Sequence, residues 1–170
     1  MKSLVLKLIL LLWLYLFSIT SVSETMAQGY TLAAGLRLGE TSGFTLNHYN
    51  QSGFGFEGII GIYQNGLNFT LLAERCKSTI NVTNLSWYYG GGGHMTFYNR
   101  YNLNNGISRD RDTINRDVGF GIDAIVGLEY NVKEIPIVFN LGIKPFIEFD
   151  TEGLVGVYPD LGLGIKFILK

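Results

Sequence analysis

The run Val118-Gly119-Phe120-Gly121-Ile122-Asp123-Ala124-Ile125-Val126-Gly127-Leu128-Glu129-Tyr130 decides how this chain is read. Val118, Phe120, Ile122, Ala124, Val126, Leu128 and Tyr130 take every second place. Apart from Ile125, the places between hold glycine, Asp123 or Glu129. Successive side chains of a β-strand point to opposite faces, so period two predicts a strand with one greasy face and one small or ionic face. Strands of soluble sandwiches run to about 5 or 6 residues, and this one is roughly twice as long. A tilted strand crossing a bilayer needs about 9 to 11 residues. The stretch from Ile137 to Phe149 repeats the pattern: Ile137, Phe139, Leu141, Ile143, Pro145, Ile147 and Phe149 alternate with Val138, Asn140, Gly142, Lys144, Phe146 and Glu148.

Further segments of the same kind lie on either side, bounded by turn residues. They are Tyr30 to Leu38, Gly43 to Tyr49, Phe54 to Tyr63, Leu67 to Cys76, Leu85 to Tyr98 and Val155 to Leu169. The facing of the second and fifth is not settled by the pattern. Asn65-Gly66 predicts a type I′ hairpin turn, whose two central residues need positive φ. The count is eight, and an even number of strands closes a sheet without exposed edges, the only sheet that lipid tolerates. The predicted fold is therefore all-β: an eight-stranded antiparallel up-and-down transmembrane β-barrel, preceded by a cleaved signal peptide.

Facing follows from parity. Val118, Phe120, Ile122, Val126, Leu128, Ile137, Phe139, Leu141, Ile143, Leu161, Leu163 and Ile165 are predicted to face lipid. Tyr30, Trp87, Tyr89, Tyr130 and Phe167 fall near strand ends, where aromatic side chains favour the membrane interface. Both ends of such a barrel lie in the periplasm, with short turns there and longer loops outside. The longest connection, residues 99–117, is then extracellular, and it carries Arg100, Arg109, Asp110, Arg111, Asp112 and Arg116. The connection from Lys77 to Asn84 is long for the periplasmic side that parity gives it.

At the N-terminus Lys2 and Lys7 precede the apolar run Leu8 to Phe17, and Thr25-Met26-Ala27 offers a cleavage site. This is the layout of a signal peptide, and the run is short for the roughly 20 residues of a spanning helix. The expected division is a signal peptide over 1–27 and an outer-membrane barrel domain over 28–170. The chain has 13 basic and 14 acidic residues, and the leader takes Lys2, Lys7 and Glu24, so no basic surface for nucleic acid is present. Cys76 is the single cysteine, which excludes an intramolecular disulfide. Sequons occur at Asn68, Asn81 and Asn84, but Asn68 falls inside a predicted strand, where a glycan has no place.

The segments Trp87-Tyr88-Tyr89-Gly90-Gly91-Gly92-Gly93-His94, Gly121-Ile122-Asp123-Ala124-Ile125-Val126-Gly127-Leu128-Glu129-Tyr130 and Glu134-Ile135-Pro136-Ile137 resemble a family of small outer-membrane β-barrel proteins of the Bacteroidetes. Ser42-Gly43-Phe44-Thr45-Leu46 and Phe56-Glu57-Gly58-Ile59-Ile60-Gly61 extend the resemblance over most of residues 28–170. It implies fold and location, since that family is largely uncharacterised. Such barrels usually end on an aromatic residue, whereas here Phe167 is followed by Ile168-Leu169-Lys170.

The interior of an eight-stranded barrel is just wide enough to be filled by side chains. The predicted inward charges are Arg37, Glu57, Glu74, Asp123, Glu129, Lys144, Glu148 and Lys166, which would have to pair to be buried. His94 has inward parity, and with Asp123 it is the one catalytic candidate, for a lipid-modifying barrel-wall enzyme. Such an enzyme also needs a nucleophile, and Ser42, Ser52, Ser86 and Ser108 lie at strand ends or in loops. Gly90 to Gly93 lacks the Lys-Ser/Thr of a phosphate loop, and glycine on a barrel wall serves bending or makes room for a bulky neighbour. No metal-ligand spacing is present, and no cofactor is expected. His48, near a turn, is expected to be solvated. The expected role is structural or surface interaction in the outer membrane, with its lipids and the barrel-assembly machinery as partners and an unidentified ligand for loop 99–117. The alternatives are the His94 enzyme and a small pore or passive carrier for apolar solutes.

Overall fold

The computed structural model describes residues 29–64, 66–79, 82–100, 115–150 and 155–170. The proposed leader 1–27 lies outside them. Among the described residues ten strands are formed: β1 (Leu32–Gly39), β2 (Ser42–Tyr49), β3 (Phe54–Tyr63), β4 (Gly66–Ser78), β5 (Leu85–Arg100), β6 (Asn115–Asn131), β7 (Ile137–Ile143), β8 (Phe146–Asp150), β9 (Val155–Tyr158) and β10 (Leu161–Ile168). Each of β1 to β5 pairs antiparallel with the next, β5 pairs with β6, and β6 pairs with both β7 and β8. β8 pairs with β9, β7 with β10, and β10 returns to β1 from Ala33↔Ile168 to Gly39↔Gly162. The sheet is a closed antiparallel barrel.

It has eight wall strands, because β7 with β8 and β9 with β10 are single strands nicked at proline. Ile143 pairs with Leu161 on one side of the nick and Phe146 with Tyr158 on the other, so the register runs through unbroken. Between them the backbones of Lys144 and Asp160 exchange hydrogen bonds of 2.7 and 3.2 Å. Pro145 accepts from Ala124 N–H at 2.9 Å but has no N–H to return. The missing donor interrupts the ladder without displacing the strand, a detail that the expected uninterrupted strands 137–149 and 155–169 did not contain.

Two other expectations change. Tyr63 pairs with Gly66, so Gly66 belongs to the ladder rather than to the turn. Gln64 adopts φ 45°, as the first central residue of such a turn must, while Asn65 lies outside the described residues. Gly66 is instead held inside β4, where an added Cβ would stand 2.9 Å from the Phe97 carbonyl oxygen. The long connection is also shorter than 99–117: Asn99 pairs with Arg116 and Arg100 with Asn115, leaving 101–114 outside the described residues.

Alternation sorts the side chains as period two requires. In β3, Glu57, Ile59, Gly61 and Tyr63 are buried while Phe54, Phe56, Ile60 and Ile62 are exposed. The two facings left open by the sequence are now fixed. β2 sends Thr45, Asn47 and Tyr49 inward, and β5 sends Ser86, Tyr88, His94 and Thr96 inward. Tyr88 fills the interior because its neighbours are small: a Cβ at Gly127 or Gly142 would stand 2.5 Å from its hydroxyl. Gly92 has a different reason, since a Cβ there would collide with the Leu71 carbonyl oxygen across the β4–β5 ladder.

Candidate functional site in the barrel interior

All eight predicted inward charges are buried, Glu148 being the most accessible at 8%. They form two groups. Nearer the end where Tyr30 and Ile168 lie, the terminal end, Lys166 Nζ stands 3.2 Å from Glu57 Oε1. Thr45 donates its hydroxyl to the same oxygen. Tyr49 donates to Glu74 Oε2 at 2.5 Å and Tyr30 to Glu129 Oε1 at 2.7 Å. Ala33, Ile59, Leu72, Cys76, Ile125 and Val138 pack around these groups.

Toward the opposite end, Lys144 Nζ lies 3.0 Å from Asp123 Oδ1 and 3.3 Å from Asp160 Oδ2. Arg37 Nη2 approaches Asp160 Oδ1 at 3.4 Å. His94 stands between two carboxylates, with Nδ1 2.9 Å from Asp123 Oδ2 and Nε2 3.0 Å from Glu148 Oε2. Tyr98 donates its hydroxyl to Glu148 Oε1. Phe146 covers the group, its ring centroid 4.9 Å from the His94 ring and 4.7 Å from Lys144 Nζ. Tyr63 and Tyr158 pack on Phe146 at 5.4 and 5.5 Å. Aromatic rings thus cap the charges at this end.

The register explains the meeting of His94 and Asp123. His94 pairs with Gly121, and Asp123 is the next inward residue along β6. The absent side chain at Gly121 provides the space, because a Cβ there would run into the imidazole. Both ring nitrogens face carboxylate oxygens, and only a ring protonated on both can donate to both. A general base needs a free nitrogen next to a nucleophile, and the side-chain partners of His94 are Asp123 and Glu148.

Two residues that complete these groups were missed at the level of sequence. Asp160 falls on the same strand face as Lys166 but was not counted among the inward charges; it is fully buried and binds both Arg37 and Lys144. Tyr30, expected in the interface girdle, is only 5% exposed. It precedes β1, so strand parity does not govern it, and its hydroxyl finds Glu129 instead of water. The other girdle residues, Trp87, Tyr89, Tyr130 and Phe167, are exposed or half-exposed, and Trp87 stacks on Tyr89 at 5.0 Å. Across the ladder Arg75 pairs with Tyr89 and Lys77 with Trp87.

The residues expected to face lipid lie on the outer surface, with Val118 and Ile137 half-exposed and the other ten exposed. His48 is exposed on β2, whereas Asn68 is buried and donates to Thr96 Oγ1 at 2.8 Å, leaving no room for a glycan. Among the described residues no cluster of His, Cys, Asp or Glu has the arrangement of a metal site.

The chain matches no protein-family model, no curated protein and no solved structure.

Proposed function

We propose that this protein is an integral outer-membrane β-barrel with a filled interior, serving a structural or surface-presenting role. One observation carries the reading: the barrel is inside out. Large apolar side chains stand exposed on every wall strand, from Leu38, Phe44 and Ile62 round to Ile122, Leu141, Val157 and Leu163, while lysine, arginine and carboxylates are sealed within. Soluble monomers rarely expose contiguous apolar patches beyond about 300–600 Å², and a belt around a whole barrel is what a bilayer would cover. Trp87 and Tyr89 beside Lys77 and Arg75 suit a membrane–water boundary. In this reading the N-terminal segment is a cleaved export signal, outer-membrane lipids surround the belt, barrel-assembly machinery inserts the chain, and residues 101–114 face outside to meet a ligand.

The packed interior favours this role over a pore, since ion pairs and the Phe146 cap occupy the lumen. The engagement of both His94 nitrogens favours it over a lipid-modifying enzyme. Gel electrophoresis of fractionated membranes tests the proposal. The expected band lies in the outer-membrane fraction and migrates differently before and after boiling; a soluble protein with unchanged mobility would sink it. Cells carrying His94→Ala are expected to keep their lipid A and phospholipid profiles, and vesicles holding the protein are expected to show no conductance.

A further inference from the structure

Two register rows of outward side chains enclose a furrow on the apolar face, with a volume of about 490 Å³. One row runs from Leu85 on β5 to Leu36 on β1, the other from Leu128 on β6 to Leu38 on β1, and Asn140 and Gly164 lie between them. Barrel strands tilt by about 35–45°, so a row at right angles to them climbs obliquely. Leu85 opens β5 at the terminal end, whereas Leu38 stands one residue before β1 finishes at the opposite end. The furrow therefore leads from the terminal rim into the belt.

The second row continues past Leu128 to Trp87 and then to Lys77 on β4. Arg75, two residues earlier on the same outward face, pairs with Tyr89, and Trp87 stacks on Tyr89 at 5.0 Å. Among the described side chains of the ten strands every carboxylate is buried, and Arg75 and Lys77 are the two half-exposed cations. The described outer wall thus carries formal charge at one place, where the furrow meets the terminal rim. Lys133 and Glu134, exposed in the β6–β7 turn, bear opposite charges.

Arginine has five N–H donors and lysine three. Each can keep a contact within the protein and still donate to a phosphate. A cationic pair beside a Trp–Tyr stack suits a lipid headgroup, and an apolar furrow beginning one strand away suits a hydrocarbon chain.

We infer that Arg75, Lys77 and the furrow form a site for one phospholipid with a net negative headgroup, its phosphate held by the two cations and one acyl chain laid between the register rows. The inference rests on the bilayer reading and names the lipid that this reading leaves general.

Quenching of Trp87 fluorescence by chain-brominated lipids tests both. The full-length Trp13→Phe protein, in which Trp87 is the single tryptophan, is reconstituted into phosphatidylcholine vesicles with increasing brominated phosphatidylglycerol or brominated phosphatidylcholine. The glycerol lipid should reach half-maximal quenching at roughly one-tenth the mole fraction that the choline lipid needs. With Arg75→Gln and Lys77→Gln added, and the fold checked by the mobility shift on boiling, the two lipids should quench alike. Glycerol 3-phosphate, which has the charge but no chain, should not restore the fluorescence. Equal quenching by the two lipids in the Trp13→Phe protein overturns the inference and leaves the bilayer reading in place. So does a preference that survives the double substitution or yields to glycerol 3-phosphate. Quenching by neither lipid overturns both.

Discussion

Lys144 and Asp160 are joined twice across the barrel wall. Their backbones exchange hydrogen bonds of 2.7 and 3.2 Å, and their side chains form an ion pair of 3.3 Å inside. From this pair the contacts extend both ways, through Asp160 to Arg37 on β1 and through Asp123 to His94 and Glu148. One chain of charges thereby ties β1, β5, β6 and β8 to the nicked wall. The two prolines that weaken the ladder flank the residues that hold it together.

Lys144→Met should therefore destabilise the barrel by about 3–5 kcal/mol, because it leaves Asp160 and Asp123 buried with one partner fewer. Urea unfolding in detergent micelles reads this. Adding Asp160→Asn should recover part of the loss, a coupling expected of contacting residues. A single variant as stable as the parent would show the pair to be idle.

Arginine on the outer belt separates the bilayer reading from a soluble one. Ile122→Arg and Leu141→Arg should each cost about 2–4 kcal/mol in lipid vesicles near the midplane. Both positions are exposed, so in a protein surrounded by water the same changes would leave stability unaltered.

Two glycines make a matched pair of opposite sign. A Cβ at Gly121 meets the His94 ring, whereas one at Gly58 meets nothing within 4 Å. Gly121→Ala should cost about 1–3 kcal/mol by overpacking. Gly58→Ala should be neutral or stabilising by about 0.4–1 kcal/mol, since it only restricts the unfolded chain. Unfolding midpoints that moved together would contradict this assignment.

Tyr30→Phe removes the hydroxyl that Glu129 accepts and should cost about 1–3 kcal/mol. The same change at Tyr130, exposed on the outer face, should leave the midpoint where it was. Equal effects would return Tyr30 to the girdle in which its sequence position first placed it.

The wall was legible because burial inside and exposure outside follow a strict period, and a period survives in a string of letters. Asp123, Lys144, Glu148 and Lys166 could be placed on one surface without coordinates. Contacts between distant strands were not legible. Asp160 lay on the legible face, but its pairing with both Arg37 and Lys144 did not show there, and Tyr30 sits two residues before the strand whose parity was applied to it. Gly90 to Gly93 carry no contrast between greasy and polar, so β5 had no visible facing in its middle.

The seam between β1 and β10 gives the fold an order of events. The first and last strands are mutual neighbours, so a chain short of its final segment has two raw edges of unpaired N–H and C=O groups, which neither lipid nor a sheet in water leaves harmless. The ring cannot close until β10 is in place. Loss of β10 should accordingly leave one edge of β1 and one of β7 unpaired at once, so the barrel is either whole or open.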